Sequence, residues 1–511
     1  MNLNLTLISI KQIYALVVKW LSRQFVELKF LVRSQARVHQ RNIAFQDEKM
    51  NKENKLQASL PKGFKDRWGD ELALKNKLVD TIKEVFINYS FEQLETPEFE
   101  KSENIGSFLA EDESNPMSDV FSFVNEKESL TLRYDLSAPL ARFCAENFRD
   151  LVFPYKRFAY GNVFRQEKAD SARYRAFGQL DADIIGDANP SQADAEICNI
   201  IGESFKKIGL SKDQFTINVS NKKILQGLIN ELKIEEDRQY RVLKSIDKLD
   251  RLGTKGVEEL LKQGRKDQSG AFTKGCELSD NQASEIINFL NLKGINDLKA
   301  NLKNPLSLEG INELEELFEV LSYGKNQDSI KIDVTKIRGL SYYTGFLVET
   351  NLNFKVTNIK GKEINIGSAA SGGRYDNLIA RFKGADYKGT GMSIGIDRLL
   401  YAVSQQGQIK VNKNKPVLVC ILDKSFIQKY YEIVNELRAN NIASEIYLDQ
   451  NKNLKKQLQY ADRKKLNFAI ICGENEFKEE KLIIKKLNSS KENDQLVINR
   501  KNLVNEISKL Q

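Results

Sequence analysis

RFAYGNVFRQEKADSARYRAFGQLDADIIG, residues 157–186, is the stretch whose reading decides the fold. Val163-Phe164-Arg165 and Arg175-Ala176-Phe177 flank a polar loop, Gln166 to Ser171, in the manner of a long hairpin. Side chains alternate along a strand, so Gln179, Asp181 and Asp183 share one face, and Arg165 and Glu167 share a face on the opposing strand. Burying so many charges is costly unless each finds a partner. Two readings stay open: a polar pocket built on a sheet, or a solvent-facing sheet of alternating charge. Together with residues 130–134, the hairpin predicts an antiparallel sheet.

Upstream, Leu78, Ile82, Val85, Phe86 and Tyr89 recur at helical spacing, and a strand-like run, Phe91 to Thr96, stops at Pro97. Downstream, residues 190–209 and about 221–325 read as mostly helical. Strand-like sequence returns at 329–350, around 364–372 and at 389–395. A polar linker near 404–415 precedes strand 417–422, helix 425–440, strand 443–448, helix 452–464 and strand 467–472, which is a small α/β domain.

Three further segments carry chemistry. Arg338-Gly-Leu-Ser-Tyr-Tyr-Thr-Gly345 sets a permanent cation and two adjacent phenols in a turn running into a strand. An arginine fork suits carboxylate or phosphate, and adjacent tyrosines on a strand face opposite sides. That combination suits a small anion with a flat polar group. Gly391-Met-Ser-Ile-Gly-Ile-Asp-Arg398 is a strand-to-helix transition whose small residues permit close approach of a ligand, with Arg398 placed to clamp a phosphate. Ser371-Gly-Gly-Arg-Tyr-Asp376 has the same character. Taken singly, each of these two also reads as an ordinary structural turn.

Composition narrows the chemistry. The 511 residues suffice for two to four domains, and no apolar run reaches the length of a bilayer span. Five scattered cysteines without a C-x-x-C pair argue against structural zinc and a disulfide framework, and fit a reducing compartment. The single histidine, His39, lies in the N-terminal stretch, so the body has no Ser-His-Asp triad and no His-ligated metal. There is no G-x-x-x-x-G-K-[ST] loop; if ATP is used, side-chain cations must hold its phosphates. Lys and Arg outnumber Asp and Glu by 8 to 3 in residues 1–49 and by 18 to 13 in 415–511, against 52 to 54 between them. A basic C-terminal module on a mildly acidic body fits a polyanionic partner, nucleic acid being the usual one. A lysine-rich solvated surface is the other reading.

In this order and spacing the segments resemble the class II aminoacyl-tRNA synthetases and, within them, the histidyl-tRNA synthetase family. Residues 71–97 resemble motif 1, 157–186 motif 2 and 389–400 motif 3; 338–345 and 372–376 resemble the two histidine signatures. The fold implied is a multidomain α+β one. An antiparallel catalytic sheet is flanked by helices, with a helical insertion domain and a C-terminal α/β anticodon-binding domain. The division implied is a basic extension at 1–49, core at 50–220 and 326–403, insertion at 221–325, linker at 404–414 and anticodon-binding domain at 415–511.

The resemblance also implies roles. Arg165 bridges the substrate carboxylate and the ATP α-phosphate, and Arg338 lies over that phosphate where related enzymes use a metal ion. Glu167 sits near the adenine, Phe177 stacks on it, and Arg398 holds the γ-phosphate. Asp135, Leu136 and Ser137 border the amino-acid pocket, Gln179 and Asp183 hold the α-amino group, and Tyr342 and Tyr343 line the imidazole side. ATP is then a substrate with Mg2+ bound mainly through the nucleotide, and no metal site is expected in the protein. L-histidine and tRNA(His) are the other partners, with a homodimer formed through motif 1 and no membrane association. Lys455, Lys456, Arg463, Lys464 and Lys465 are candidates for tRNA contact, with a solvated helix face as the alternative.

This sequence departs from the family pattern in two places. Ser137 stands for the usual threonine and keeps its hydroxyl, and the loop Glu167 to Arg173 lacks the proline and glycine that many relatives carry. A regulatory paralogue that activates ATP phosphoribosyltransferase, and a non-enzymatic RNA-binding relic, are disfavoured by the presence of residues 415–511 and by Arg165, Arg338 and Arg398. Residues 1–49 read either as a start placed upstream of Met50 or as a presequence. The location expected is cytoplasmic, or organellar if that segment is a transit peptide.

Overall fold

The computed structural model describes residues 57–105, 120–124, 128–167, 169, 173–266, 270–337, 343–358, 360–376, 378, 380, 382, 387–407, 415–449, 451–487 and 494–510. The chain divides into units 1–65 and 66–511. In the described part of the first, a turn is closed by the Phe64 N–H donating to the Pro61 carbonyl at 3.2 Å.

The second unit is built on an eight-stranded sheet: β1 (Glu92–Gln93), β2 (Tyr155–Phe164), β3 (Ala176–Ile185), β4 (Phe215–Asn221), β5 (Ile330–Ile332), β6 (Phe346–Leu352), β7 (Ser368–Arg374) and β8 (Gly389–Gly395). Their spatial order is β1-β2-β3-β8-β7-β6-β4-β5. Neighbours are antiparallel except at the two edges, where β1 pairs β2 and β5 pairs β4 in parallel.

Alternation along β3 explains why one sheet carries both a core and a polar site. Leu180, Ala182 and Ile184 enter the main core. So do side chains of helices α1 (Gly69–Asn88), α3 (Pro190–Lys207) and α6 (Ile396–Gln406), among them Leu78, Ile82, Phe86, Ile197, Ile201, Leu399 and Val403. Gln179, Asp181 and Asp183 take the opposite face by the same period of two. They are nonetheless buried, so the solvent-facing reading of this hairpin does not hold. Helix α2 (Ser137–Asn147) starts where the Asp135 carboxylate accepts the N–H groups of Ser137 at 3.1 Å and Ala138 at 2.9 Å, an end-capping bond pair. Helix α3 is capped by Asn189, with Pro190 at its first position.

Some elements differ from expectation. The strand expected over 91–96 shrinks to Glu92–Gln93, because the Arg133 guanidinium takes the Thr96 carbonyl at 2.8 Å and Pro97 brings no N–H to a ladder. Arg165 and Glu167 lie past the end of β2 rather than in it, although the Arg165 N–H still donates to the Arg175 carbonyl at 2.9 Å. Between α4 (Lys222–Glu231) and α5 (Pro305–Ser322) the mostly helical stretch holds a small hairpin, Gly264–Lys266 with Phe272–Lys274. A side chain at Gly264 would meet the Thr273 carbonyl at 2.2 Å, and its φ is +112°.

Residues 417–510 form a five-stranded sheet from β9 (Val417–Val419), β10 (Ser444–Ile446), β11 (Phe468–Ile471), β12 (Lys481–Lys486) and β13 (Gln495–Asn499), in the order β10-β9-β11-β12-β13. The first three are parallel, as the strand–helix alternation predicts; β12 and β13 add an antiparallel edge. Helix α7 (Ile427–Ala439) and the terminal helix α9 (Leu503–Leu510) bury Tyr430, Ile433, Leu437, Leu503 and Ile507 in one core with β11 and β12. Helix α8 (Leu454–Arg463) packs elsewhere, with Ala461 against Leu418, Ala469 and Ile471.

Candidate active site

The polar face of β3 opens onto a cavity of about 360 Å³. Asp135, Ser137, Arg165, Phe177, Gln179, Asp183, Tyr343 and Arg398 all line it, although their positions span more than 260 residues of sequence. Leu136 does not: its side chain packs behind the wall with Ala159, Val163 and Phe177, and its carbonyl accepts from Arg157 at 2.9 Å. Glu167 also lies outside the lining, 3.8 Å from Arg165 and 3.3 Å from Arg173. Arg338 and Tyr342 lie outside the described residues.

Arg165 is fixed by aromatic rings and a carbonyl. Its Nε donates to the Tyr134 carbonyl at 3.2 Å, and its guanidinium lies 4.2 Å from the Tyr134 ring centre and 5.3 Å from that of Phe177. Arg398 follows the strand-to-helix turn at Gly395, and its Nη1 donates to the Ser368 carbonyl at 2.6 Å. The next residue back, Asp397, accepts the Gly178 N–H at 2.6 Å, tying the start of α6 to β3. Two arginines on separate elements therefore border one cavity, each already oriented.

The opposite part of the site is anionic and buried. Asp183 pairs with Arg157 at 2.9 Å and accepts the Tyr375 hydroxyl; Arg157 is fully buried. Burial pushes the Asp183 carboxyl above the usual carboxylate range, with the Arg157 charge and the Tyr375 hydroxyl acting against it. Burial likewise raises Asp135, against the N–H groups of Ala138 and Ser137 and the charge of Arg165. Gln179 leaves its Oε1 buried with no hydrogen bond among the described residues, an acceptor ready for an ammonium or N–H donor. Gly391 is required opposite Asp183, since a β-carbon there would stand 2.1 Å from Asp183 Oδ1.

Several lining residues escaped the sequence reading: Tyr134, Arg173, Tyr174, Lys336 and Glu349; Tyr375 lies in the segment 371–376 but was given no role of its own. Arg157 was also missed, though a signal existed: with Arg165 opposite Arg175, counting back along the hairpin sets Arg157 against Asp183, their observed register. Lys336, whose Nζ is 3.0 Å from Asp250 and 4.0 Å from Glu349, depends on contacts across the fold that no local pattern displays.

A family model described as histidyl-tRNA synthetase matches residues 63–399, and one described as anticodon binding domain matches 416–510. The chain belongs to the histidyl-tRNA synthetase family. It is 58% identical over 463 residues to a histidine–tRNA ligase of Pelagibacter ubique, covering 90% of this chain and all of that one. A histidine–tRNA ligase of Rhizobium meliloti is 40% identical over 447 residues, covering 84% and 88% of the two chains. Among solved structures, the histidyl-tRNA synthetase of Nostoc sp. PCC 7120 superposes with a TM-score of 0.71 at 27% identity, covering 89% of this chain and all of that one. The antiparallel core with its helices, and the separate C-terminal module, are those of a class II synthetase.

In the anticodon-binding module of this family member, Lys455, Lys456, Arg463, Lys464 and Lys465 are all exposed at α8 and its C-terminal end. Lys456 and Arg463, seven residues apart, share a side of the helix. Lys464 is engaged by Glu445 at 2.6 Å. Gln457, fully buried, brackets α8 to the end of β9 by donating to the Ile421 carbonyl at 2.6 Å and accepting the Ile421 N–H at 2.9 Å.

Proposed function

We propose that this chain is a histidine–tRNA ligase: it activates L-histidine with ATP to histidyl-adenylate and pyrophosphate, then transfers histidine to the 3′ end of tRNA(His). The observation that carries this is the convergence of Arg165, Phe177, Gln179, Asp183, Tyr343 and Arg398 on one cavity, in a chain so similar to histidine–tRNA ligases.

The reaction is an in-line displacement at the α-phosphate, so catalysis is mainly positioning and neutralisation of developing charge. Arg165 serves both anions, the histidine carboxylate and the α-phosphate, and Arg338, a permanent cation, serves that phosphate too. Arg398 holds the γ-phosphate, Phe177 stacks on the adenine and Glu167 lies at its rim. Asp183 and the free acceptor of Gln179 take the α-amino group; Asp135 and Ser137 shape the pocket wall, with Leu136 packed behind it. Tyr342 and Tyr343 meet the imidazole, and a site built to hydrogen-bond a ring nitrogen rejects an analogue lacking it by about 10⁴–10⁵-fold. No step needs a protein histidine. The cationic donor set suits phosphates rather than a metal cage, so Mg2+ would enter chiefly on the nucleotide and help neutralise its charge.

The remaining assignments follow. Residues 50–220 and 326–403 form the catalytic core, 221–325 the insertion over the acceptor stem, and 415–511 the anticodon-binding domain joined by 404–414. A second copy docks through motif 1; the exposed apolar Ile87 on α1 supports that. Among the described residues no helix is long and apolar enough to cross a membrane. The location we infer is the cytoplasm, or an organelle if residues 1–49, outside the described residues, act as a presequence. Charging of tRNA(His) with labelled histidine, dependent on ATP, tests the function; no charging by the purified chain would remove it.

A further inference from the structure

The last residues of the signature octet are gripped from both sides. Lys222, the first residue of α4, donates from Nζ to the Tyr343 carbonyl at 2.8 Å, and its own N–H donates to the Gly345 carbonyl at 2.9 Å. On the other flank the Thr344 N–H donates to the Arg374 carbonyl at 2.8 Å, and Thr344 Oγ1 to Asp376 at 2.7 Å. The Tyr343 ring packs down on Gly373, where a β-carbon would come within 3.0 Å of Cδ1. With no slack beneath the ring, its aim is set by the backbone that Lys222 holds.

The two lysines that open α4 behave differently. Lys223 pairs with Glu309 at 2.7 Å and Glu313 at 2.5 Å; Glu313 also accepts from Asn221 at 2.6 Å and lies 3.5 Å from Arg374. That network fixes the base on which Lys222 stands. Lys222 itself is partly buried, and burial lowers its pKa from the ordinary lysine value. A partly desolvated cation that donates to the Tyr343 carbonyl adds little net stability and a good deal of orientation.

We propose that Lys222 is a positioning residue for amino-acid recognition: it holds the Tyr343 carbonyl and thereby aims the Tyr343 ring into the cavity. This rests on the assignment of Tyr343 to the imidazole side of the site.

Steady-state ATP–pyrophosphate exchange on the full chain tests it. Lys222→Met is expected to raise the KM for histidine roughly tenfold, the size of one charge-assisted hydrogen bond. The KM for ATP should stay within about twofold. Lys222→Arg, which restores donor and charge, should return the histidine KM to within about threefold of the parent. An equal rise in both KM values would mark general loosening and overturn the proposal, as would an unchanged histidine KM. Tyr343→Ala separates the two levels. A raised histidine KM there with none in Lys222→Met overturns the positioning role alone, whereas no change in either removes the assignment of Tyr343 as well. Should the methionine variant fail to fold, Lys222→Gln carries the same test, and an unchanged histidine KM in it is equally contrary.

Discussion

The catalytic sheet and the C-terminal module use charge in opposite ways. In the catalytic sheet and the helix against it, charged groups are buried in pairs: Arg157 of β2 with Asp183 of β3, and Arg374 of β7 with Asp194 of α3. On α8, Lys455, Lys456, Arg463 and Lys465 stand exposed. Buried pairs cost desolvation and hold one geometry, which suits a site that must place a phosphorus atom against a carboxylate. Exposed lysines cost little, adapt to a partner and lose strength with salt, which suits a polyanion read over a long surface. The contrast separates the region we propose for chemistry from the region we propose for contact with RNA.

Perturbations of the sheet should therefore be large and those of α8 small. Arg157→Met leaves Asp183 and Asp181 buried without their cation and is expected to destabilise by about 3–5 kcal/mol in urea denaturation. A loss below about 1 kcal/mol would show that the pair is solvated in practice. Arg165→Ala, at the cavity wall, should slow histidine-dependent exchange by about 10²–10³-fold while the melting temperature moves little. A drop under about tenfold would take Arg165 out of the reacting centre.

Effects on α8 come next. Lys456→Gln with Arg463→Gln should raise the KM for tRNA a few-fold and flatten its salt dependence by roughly one logarithmic unit per lost contact. An unaltered salt slope would favour the solvated-face reading of this helix. Back on the sheet, a pH signature gives an independent test. Burial raises the Asp181 carboxyl to about 8, against the Arg157 charge and reinforced by Asp183. The folded state then binds this proton more tightly than the unfolded chain, so stability falls as pH rises from the ordinary aspartate value of about 4 towards about 8. Asp181→Asn mimics the protonated form. Its melting temperature should gain on the parent as pH rises and converge with it in acid; a gap independent of pH would contradict the shift.

The hairpin at 157–186 was legible because its strands are long and its alternation strict: Leu180, Ala182 and Ile184 against Gln179, Asp181 and Asp183. What the alternation could not tell was whether the polar face met water, since that depends on strands β6 to β8 arriving from residues 346–395. Arg157 was readable from the hairpin register, but Lys222 was not, because its bond to Tyr343 joins residues 121 positions apart. Leu136 was read into the pocket by its neighbours, and the capping role of Asp135 turns its side chain inward instead. At the C-terminus, β9 to β11 show in the strand–helix rhythm. Strands β12 and β13 fall outside that rhythm, because they pair with each other antiparallel rather than through a crossover helix.

The buried polar face of β3, with Arg165, Tyr343 and Arg398 around it, is proposed to select and activate histidine before any RNA is bound. ATP–pyrophosphate exchange measured without tRNA, with each of the twenty amino acids in turn, tests this most directly. Rapid exchange is expected with L-histidine, and near-background exchange with the other nineteen. Absence of exchange with histidine, or comparable exchange with another amino acid, would contradict it.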